Sequence, residues 1–198
     1  MQARVTAAAL ALVTGAALLV SAQGSSVSAK AVSPTEWCGK QGGTAAAYRA
    51  YYDAGFRLTP LGTVRELCHF QAQDQTQIVI PADTLAADAP TLAGLAYKRK
   101  PALPGHPVGN PSSAYCAKLG GTTQFGESKA QTGGWIREGE PVDRDHLHTM
   151  CVFADASAID AWGLTYHTGG IVRGADLEGK FRASIPPAAP AESWNQVR

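Results

Sequence analysis

Beyond Gln23 the sequence has no apolar run approaching the ~20 residues that a spanning helix needs, so no membrane span is expected there. Charge of one sign is also missing. The formal net charge is +1 over 198 residues, and the basic cluster Lys98-Arg99-Lys100 stands beside a proline-rich stretch. A nucleic-acid partner needs a basic patch that releases counterions, and this balance argues against one. The cluster reads instead as part of a solvated linker. No Cys-x-x-Cys pair occurs, which removes support for zinc ribbons and thioredoxin-like redox sites. No Gly-x-Ser-x-Gly elbow, Gly-x-Gly-x-x-Gly or Walker pattern is present. Carboxylates are scattered, with no spacing that suggests glycoside hydrolysis. No catalytic constellation and no cofactor are therefore expected. Much of the 45% hydrophobic content is alanine, so the core should be small.

The amino terminus has the pattern of a secretory leader. Arg4 is followed by an apolar and small-residue run over residues 7–20, then by small-x-small sites ending at Ala22 and Ala29. We expect residues 1–29 to be a signal peptide, cleaved after Ala22 or Ala29. The run is short for an uncleaved anchor. The expected location is secreted, periplasmic or cell-envelope. Four cysteines in an exported chain favour disulfides.

Those cysteines sit in repeated surroundings. Trp37-Cys38-Gly39-Lys40-Gln41-Gly42-Gly43-Thr44 answers to Tyr115-Cys116-Ala117-Lys118-Leu119-Gly120-Gly121-Thr122. Ser33-Pro34 with Glu36, and Asn110-Pro111, are helix-start signals, and each Gly-Gly is a stop. Leu67-Cys68-His69-Phe70 answers to Met150-Cys151-Val152-Phe153, and Gly94-Leu95-Ala96-Tyr97 to Gly163-Leu164-Thr165-Tyr166. The expected fold class is α+β: two tandem α-β-β-α repeats, each a hairpin packed by helices, with the two hairpins merging into one antiparallel sheet. The first repeat covers residues 33–97, a proline-rich linker 98–109, the second repeat 110–180, and a disordered tail 181–198.

Within the first repeat, residues 44–52 read as a strand, though their alanines fit a helix equally, 64–70 as a strand, 89–97 as a helix, and residues 77–81 as an inserted strand. In the second, 122–125 and 147–153 read as strands and 156–166 as a helix. A two-stranded hairpin with helices on one face is marginal, so each module needs a staple. Four cysteines allow three pairings. Only Cys38–Cys68 with Cys116–Cys151 treats both copies alike and ties helix to strand within each.

The second copy also resembles a known family. Asn110-Pro111, Tyr115-Cys116, Lys118-Leu119-Gly120-Gly121, Cys151-Val152-Phe153 and Asp160-Ala161-Trp162-Gly163-Leu164 are similar to a short exported bacterial domain of unknown function that carries a haemolysin label. The first copy carries the pattern weakly. The chain departs from it after Cys-x-Phe, where the usual Pro-Asp-Gly turn is replaced by Ala154-Asp155-Ala156 and by Gln71-Ala72-Gln73. The matching residues are scaffold residues, so the resemblance implies a module and no particular activity.

His146-x-His148 is the sharpest chemical candidate. Two residues apart on a strand, both imidazoles would share a face and could approach one metal, with Asp143 and Asp145 upstream. The equivalent first-copy positions, Thr63 and Arg65, do not carry the pair. Trp37 and Tyr115 could stack on a ligand, though aromatics beside cystines more commonly pack over them. The expected function is a non-enzymatic, disulfide-stabilised module that binds a protein or a cell-surface component. The alternatives are a membrane-active protein and, behind it, a metal-dependent hydrolase using His146 and His148.

Overall fold

A computed structural model describes residues 31–54, 57–102, 105, 109–124, 132–167 and 174–186. The expected leader and the end of the tail, with Trp194, lie outside the described residues. The first helix, α1 (Pro34–Lys40), opens on a complete capping box. Ser33 Oγ accepts from the Glu36 N–H, and the Glu36 carboxylate accepts from the Ser33 N–H. Its counterpart α4 (Pro111–Lys118) is capped by Asn110, whose side chain accepts the Ser112 N–H at 2.9 Å. Gly42 and Gly120 leave these helices at φ of 80° and 84°, the left-handed conformation that glycine adopts without a steric cost.

Each following glycine is needed for a different reason. A Cβ on Gly43 would lie 2.5 Å from Cys68 Sγ, and one on Gly121 would lie 2.5 Å from Cys151 Sγ. The backbone has to come this close because the cystines are where the expected pairing puts them in space. Cys38 is bonded to Cys68 and Cys116 to Cys151, with Cα separations of 5.7 and 5.5 Å.

The strands are β1 (Thr44–Ala54), β2 (Arg57–Gln71) and β3 (Gln77–Pro81) in the first half. Helices α2 (Ala82–Leu85) and α3 (Leu92–Arg99) follow them. In the second half β4 (Thr122–Thr123), β5 (Thr132–Arg137), β6 (Met150–Val152) and β7 (Ala158–Asp160) precede α5 (Ala161–Tyr166). They form a curled antiparallel sheet of order β3-β2-β1-β5 and a smaller one of order β4-β6-β7. Reciprocal backbone bonds of 2.8 and 2.9 Å between Trp135 and His148 tie β5 to the segment entering β6, while β3 packs beside β7.

Alternation along the strands feeds two cores. Cys68, Phe70, Ile78 and Ile80 face the helices in a cluster that holds both cystines. Leu67 and Val79 face the other way and meet Tyr48, Trp135, Met150 and Ala158 from both sheets.

The ladders place the two cystines in one register. Thr44 pairs with His69, Ala45 with Cys68, and Cys68 with Ile80. Thr122 pairs with Val152, Thr123 with Cys151, and Cys151 with Ile159. Both hairpin turns carry one left-handed residue, Gln75 at φ 64° and Ala156 at φ 62°. In each, the preceding Asp (Asp74 or Asp155) accepts the N–H two residues on.

Several expectations need correcting. Residues 77–81 form β3, which pairs with β2 with Ile80 opposite Cys68, as β7 pairs with β6 with Ile159 opposite Cys151. The helix expected over 156–166 begins only at Ala161. Three strand residues next to a helical sequence are too few to show a period. Ala82 opens α2 directly after β3, and Ala161 opens α5 directly after β7. Gly94-Leu95-Ala96-Tyr97 lies on α3, and Gly163-Leu164-Thr165-Tyr166 on α5. The hairpins do not merge into one sheet. Instead β5 crosses from the second half to pair with the edge of β1, Arg49 opposite Ile136. Lys98 and Arg99 end α3, and Lys98 and Lys100 form ion pairs with Glu178. Of the tail expected over 181–198, only residues 181–186 are described, and two of them make contacts. The Phe181 ring lies 6.0 Å from that of Tyr97, and the Arg182 guanidinium sits 5.0 Å above Trp37.

Helix α3 is docked by the β6–β7 turn. Asp155 Oδ2 accepts the Leu92 N–H at 2.8 Å and Ser157 Oγ accepts the Ala93 N–H at 3.0 Å. Partial burial pushes the Asp155 carboxyl up, but the Leu92 and Ser157 bonds outweigh this and hold it below its usual value. A folded pKa below the unfolded ~3.9 gives stabilisation that is full above that value and lost as pH falls through the folded one. We expect Asp155→Ala to cost about 1 kcal/mol at pH 7, discounted for exposure, and markedly less at pH 3. Urea unfolding of both proteins at the two pH values checks this. An equal cost at both would assign the loss to packing.

Candidate functional site

A cleft of about 360 Å³ opens where the β2–β3 turn, the segment entering β6 and α5 meet. Its wall is fixed by Asp160, the residue before α5, which is 5% exposed. Asp160 Oδ1 accepts the N–H groups of Trp162 and Gly163 at 2.8 and 3.0 Å, capping the helix. Gly163 has no side chain because Ile78 of β3 occupies that space, so α5 lies directly on the strand. The cap and this close approach set the orientation of the helix. They leave Trp162 40% exposed on the cleft side, with Tyr166 one turn on and the ring centroids 6.0 Å apart.

His148 lines the same cleft. Its Nδ1 is 3.4 Å from Asp160 Oδ2, and its ring meets Tyr48 edge-on at 5.9 Å. Burial pushes the Tyr48 hydroxyl up to about 12, so it stays protonated at neutral pH. At the neighbouring rim, His69 shares a hydrogen bond of 3.1 Å with Gln77. Burial holds the His69 imidazole below its usual range, with the Gln77 bond opposing the shift. The remaining described lining is mostly polar: Gln75, Gln77, Thr76 and Thr149 bring amides and hydroxyls, Asp74 and Asp145 carboxylates, and Leu147 an apolar side chain.

His146 and His148 are not paired on a strand face. Residues 143–146 form turns, and β6 starts only at Met150. Asp143 Oδ1 accepts the N–H groups of Asp145 and His146 and lies 2.6 Å from His146 Nδ1. That contact raises the His146 imidazole above its ordinary value and lowers the Asp143 carboxyl. Each histidine thus has its own carboxylate, one at the surface and one in the cleft. Among the described residues no group of three or more His, Cys, Asp or Glu side chains could hold a metal ion.

Trp37 and Tyr115 both have structural partners. Trp37 Nε1 donates to the Lys180 carbonyl at 2.9 Å, and the fully buried Tyr115 hydroxyl donates to the Pro101 carbonyl at 2.8 Å. A second cavity, about 380 Å³, lies between α3 and residues 178–185. It is lined by Tyr97 and Phe181, whose rings already pack on each other. Trp162 enters the sequence reading only as a scaffold residue of the family resemblance, not as a binding residue. Its signal is the Asp160-x-Trp162-Gly163 spacing, a capping carboxylate that fixes an aromatic two residues later. The chain matches no family model, no curated protein and no solved structure.

What the structure supports directly is a mixed α+β chain with antiparallel sheets, held by two disulfides. Among the described residues no helix is long and apolar enough to cross a membrane. The disulfides are compatible with an extracellular or periplasmic protein.

Proposed function

We propose that this chain is an exported binding module, built from two diverged copies of an α-β-β-β unit, that takes a ligand of the cell envelope or surface in the Trp162 cleft. The observation that carries this reading is the exposed Trp162, locked in place by a buried cap and opening onto a polar cleft. An exposed tryptophan on a fixed backbone gives contact area with little loss of side-chain freedom, which is why tryptophan is frequent at binding hot spots. The duplication is supported by the common register around the cystines and by the matching Gln75 and Ala156 turns. Export is supported by the leader pattern and the cystines.

The test is co-sedimentation of the oxidised full-length protein with washed envelopes from the native host. Retention of wild type and its loss in Trp162→Ala is the expected outcome. Equal retention of both proteins, or none of either, would reject the cleft as a binding site. Dye leakage from liposomes at low protein concentration would favour a membrane-active role instead.

A further inference from the structure

Residues 32–102 and 109–186 are joined covalently through the main chain alone. Each disulfide closes within one of these halves, and no free cysteine is left to link them. The non-covalent contacts between them are extensive. Strand β1 pairs with β5 from Tyr48–Arg137 to Asp53–Thr132. Trp37, beside one cystine, donates to the Lys180 carbonyl, and Tyr115, beside the other, donates to the Pro101 carbonyl. The end of each half thus holds the first helix of the other. Both core clusters draw on both halves. Ile80 and Tyr97 share one with Tyr115 and Leu164, and Tyr48 shares the other with Trp135. A half by itself would leave its part of both clusters open to water. The matching half of a second copy presents the same surfaces and can close them equally well.

The connection between the halves favours the second copy. The Pro101 carbonyl lies at Tyr115, and the Ala102 carbonyl accepts from Lys118 Nζ at the end of α4, yet Asn110 caps the start of that helix. Within one chain, residues 103–109 have to lead back along a helix of about 12 Å. Pro101, Pro104, Pro107 and Pro111 punctuate this stretch. Proline-rich sequences act as extended, semi-rigid spacers, which opposes such a reversal. We infer that two copies of this chain exchange halves, residues 109–186 of one completing residues 32–102 of the other. The exchange keeps every contact named above and removes the need to reverse. It also makes the candidate cleft a shared site, with Thr76 and Gln77 from one chain and His148, Asp160 and Trp162 from the second. The use of that cleft rests on the binding-module reading above. Two clefts on one particle then raise its retention on a surface that carries many ligands.

The experiment refolds and oxidises a mixture of heavy-isotope and ordinary full-length chains, then separates the species by size exclusion with light scattering. A dimer is expected, its share growing with protein concentration during refolding. Lys98 and Glu178 pair across the two halves. Carbodiimide coupling of these two residues should give heavy–light peptide pairs in the dimer and only like-labelled pairs in any monomer. Deleting residues 104–108 should leave the dimer as the sole species. Inserting a Gly/Ser segment after Val108 should raise the monomer share by about tenfold or more, because a long flexible linker lets one chain close on itself. A monomer at every concentration, a dimer whose coupled pairs are all like-labelled, or a dimer indifferent to linker length would each overturn the exchange. None of these readouts needs a ligand. A monomer retained on envelopes through Trp162 would therefore overturn the exchange while leaving the binding module standing.

Discussion

Replacing either cystine by a pair of alanines is expected to destabilise the protein by about 3–4 kcal/mol on the chain-entropy model, and replacing both to abolish cooperative unfolding at 25 °C. The bridges close sequence separations of 30 and 35 residues. Total stabilities of comparable domains are about 5–15 kcal/mol, so two such losses approach the whole. The packing argument points the same way. All four cysteines are fully buried in the cluster shared by Phe70, Tyr115 and Phe153, and Gly43 and Gly121 have no side chains because the sulfurs lie against them. Deletion of either cystine therefore leaves a gap beside a glycine, which cannot fill it. Because one cluster contains both bridges, the two losses should not add simply. Guanidinium unfolding followed by circular dichroism measures this. A single-cystine variant that loses less than about 1 kcal/mol would show that the apolar interior is sufficient by itself.

Much of this framework could be read from residues alone, where a local rule acts. Ser33-Pro34-x-Glu36 and Asn110-Pro111 cap helices because the caps need only neighbours in sequence. The two faces of Leu67-Cys68-His69-Phe70 follow from strand alternation. What could not be read depends on distant partners. The pairing of β5 with β1 joins residues 79 to 89 positions apart, from Asp53 with Thr132 to Tyr48 with Arg137, and nothing in Thr132–Arg137 says which edge it takes. Strand β7 was hidden because Ala158-Ile159-Asp160 runs directly into helical residues, and it exists only through its bonds to β6. The cleft was half visible. His148 drew attention as a metal ligand, but its partner Asp160 comes from a different element twelve residues on, and Trp162 gains its meaning only when α5 is laid on β3.

The second large effect is expected at Arg144, which holds the loop that leads into His148. Asp53 near the end of β1 is 3% exposed; its Oδ2 accepts the Nε–H of Arg144 at 2.7 Å and lies 2.6 Å from Nη2 in an ion pair. Asp53 Oδ1 is buried with no hydrogen-bond partner, so the guanidinium is a principal compensation for this carboxylate. Arg144→Ala leaves the charge in a site that water reaches poorly. Breaking a buried pair from one side costs about 3–5 kcal/mol, and the half-exposed arginine places this one near the lower figure, about 3 kcal/mol. Removing both partners should cost less than removing the arginine alone, because the uncompensated charge goes with the aspartate. A double-mutant cycle of Arg144→Ala and Asp53→Ala, read by urea unfolding, separates these cases. A double variant as unstable as the sum of the singles would mean that the two side chains act independently. A coupling of 1 kcal/mol or more would instead place the anchor of the loop in this pair, and the 141–149 segment should then lose amide-exchange protection in Arg144→Ala ahead of β1 and β2.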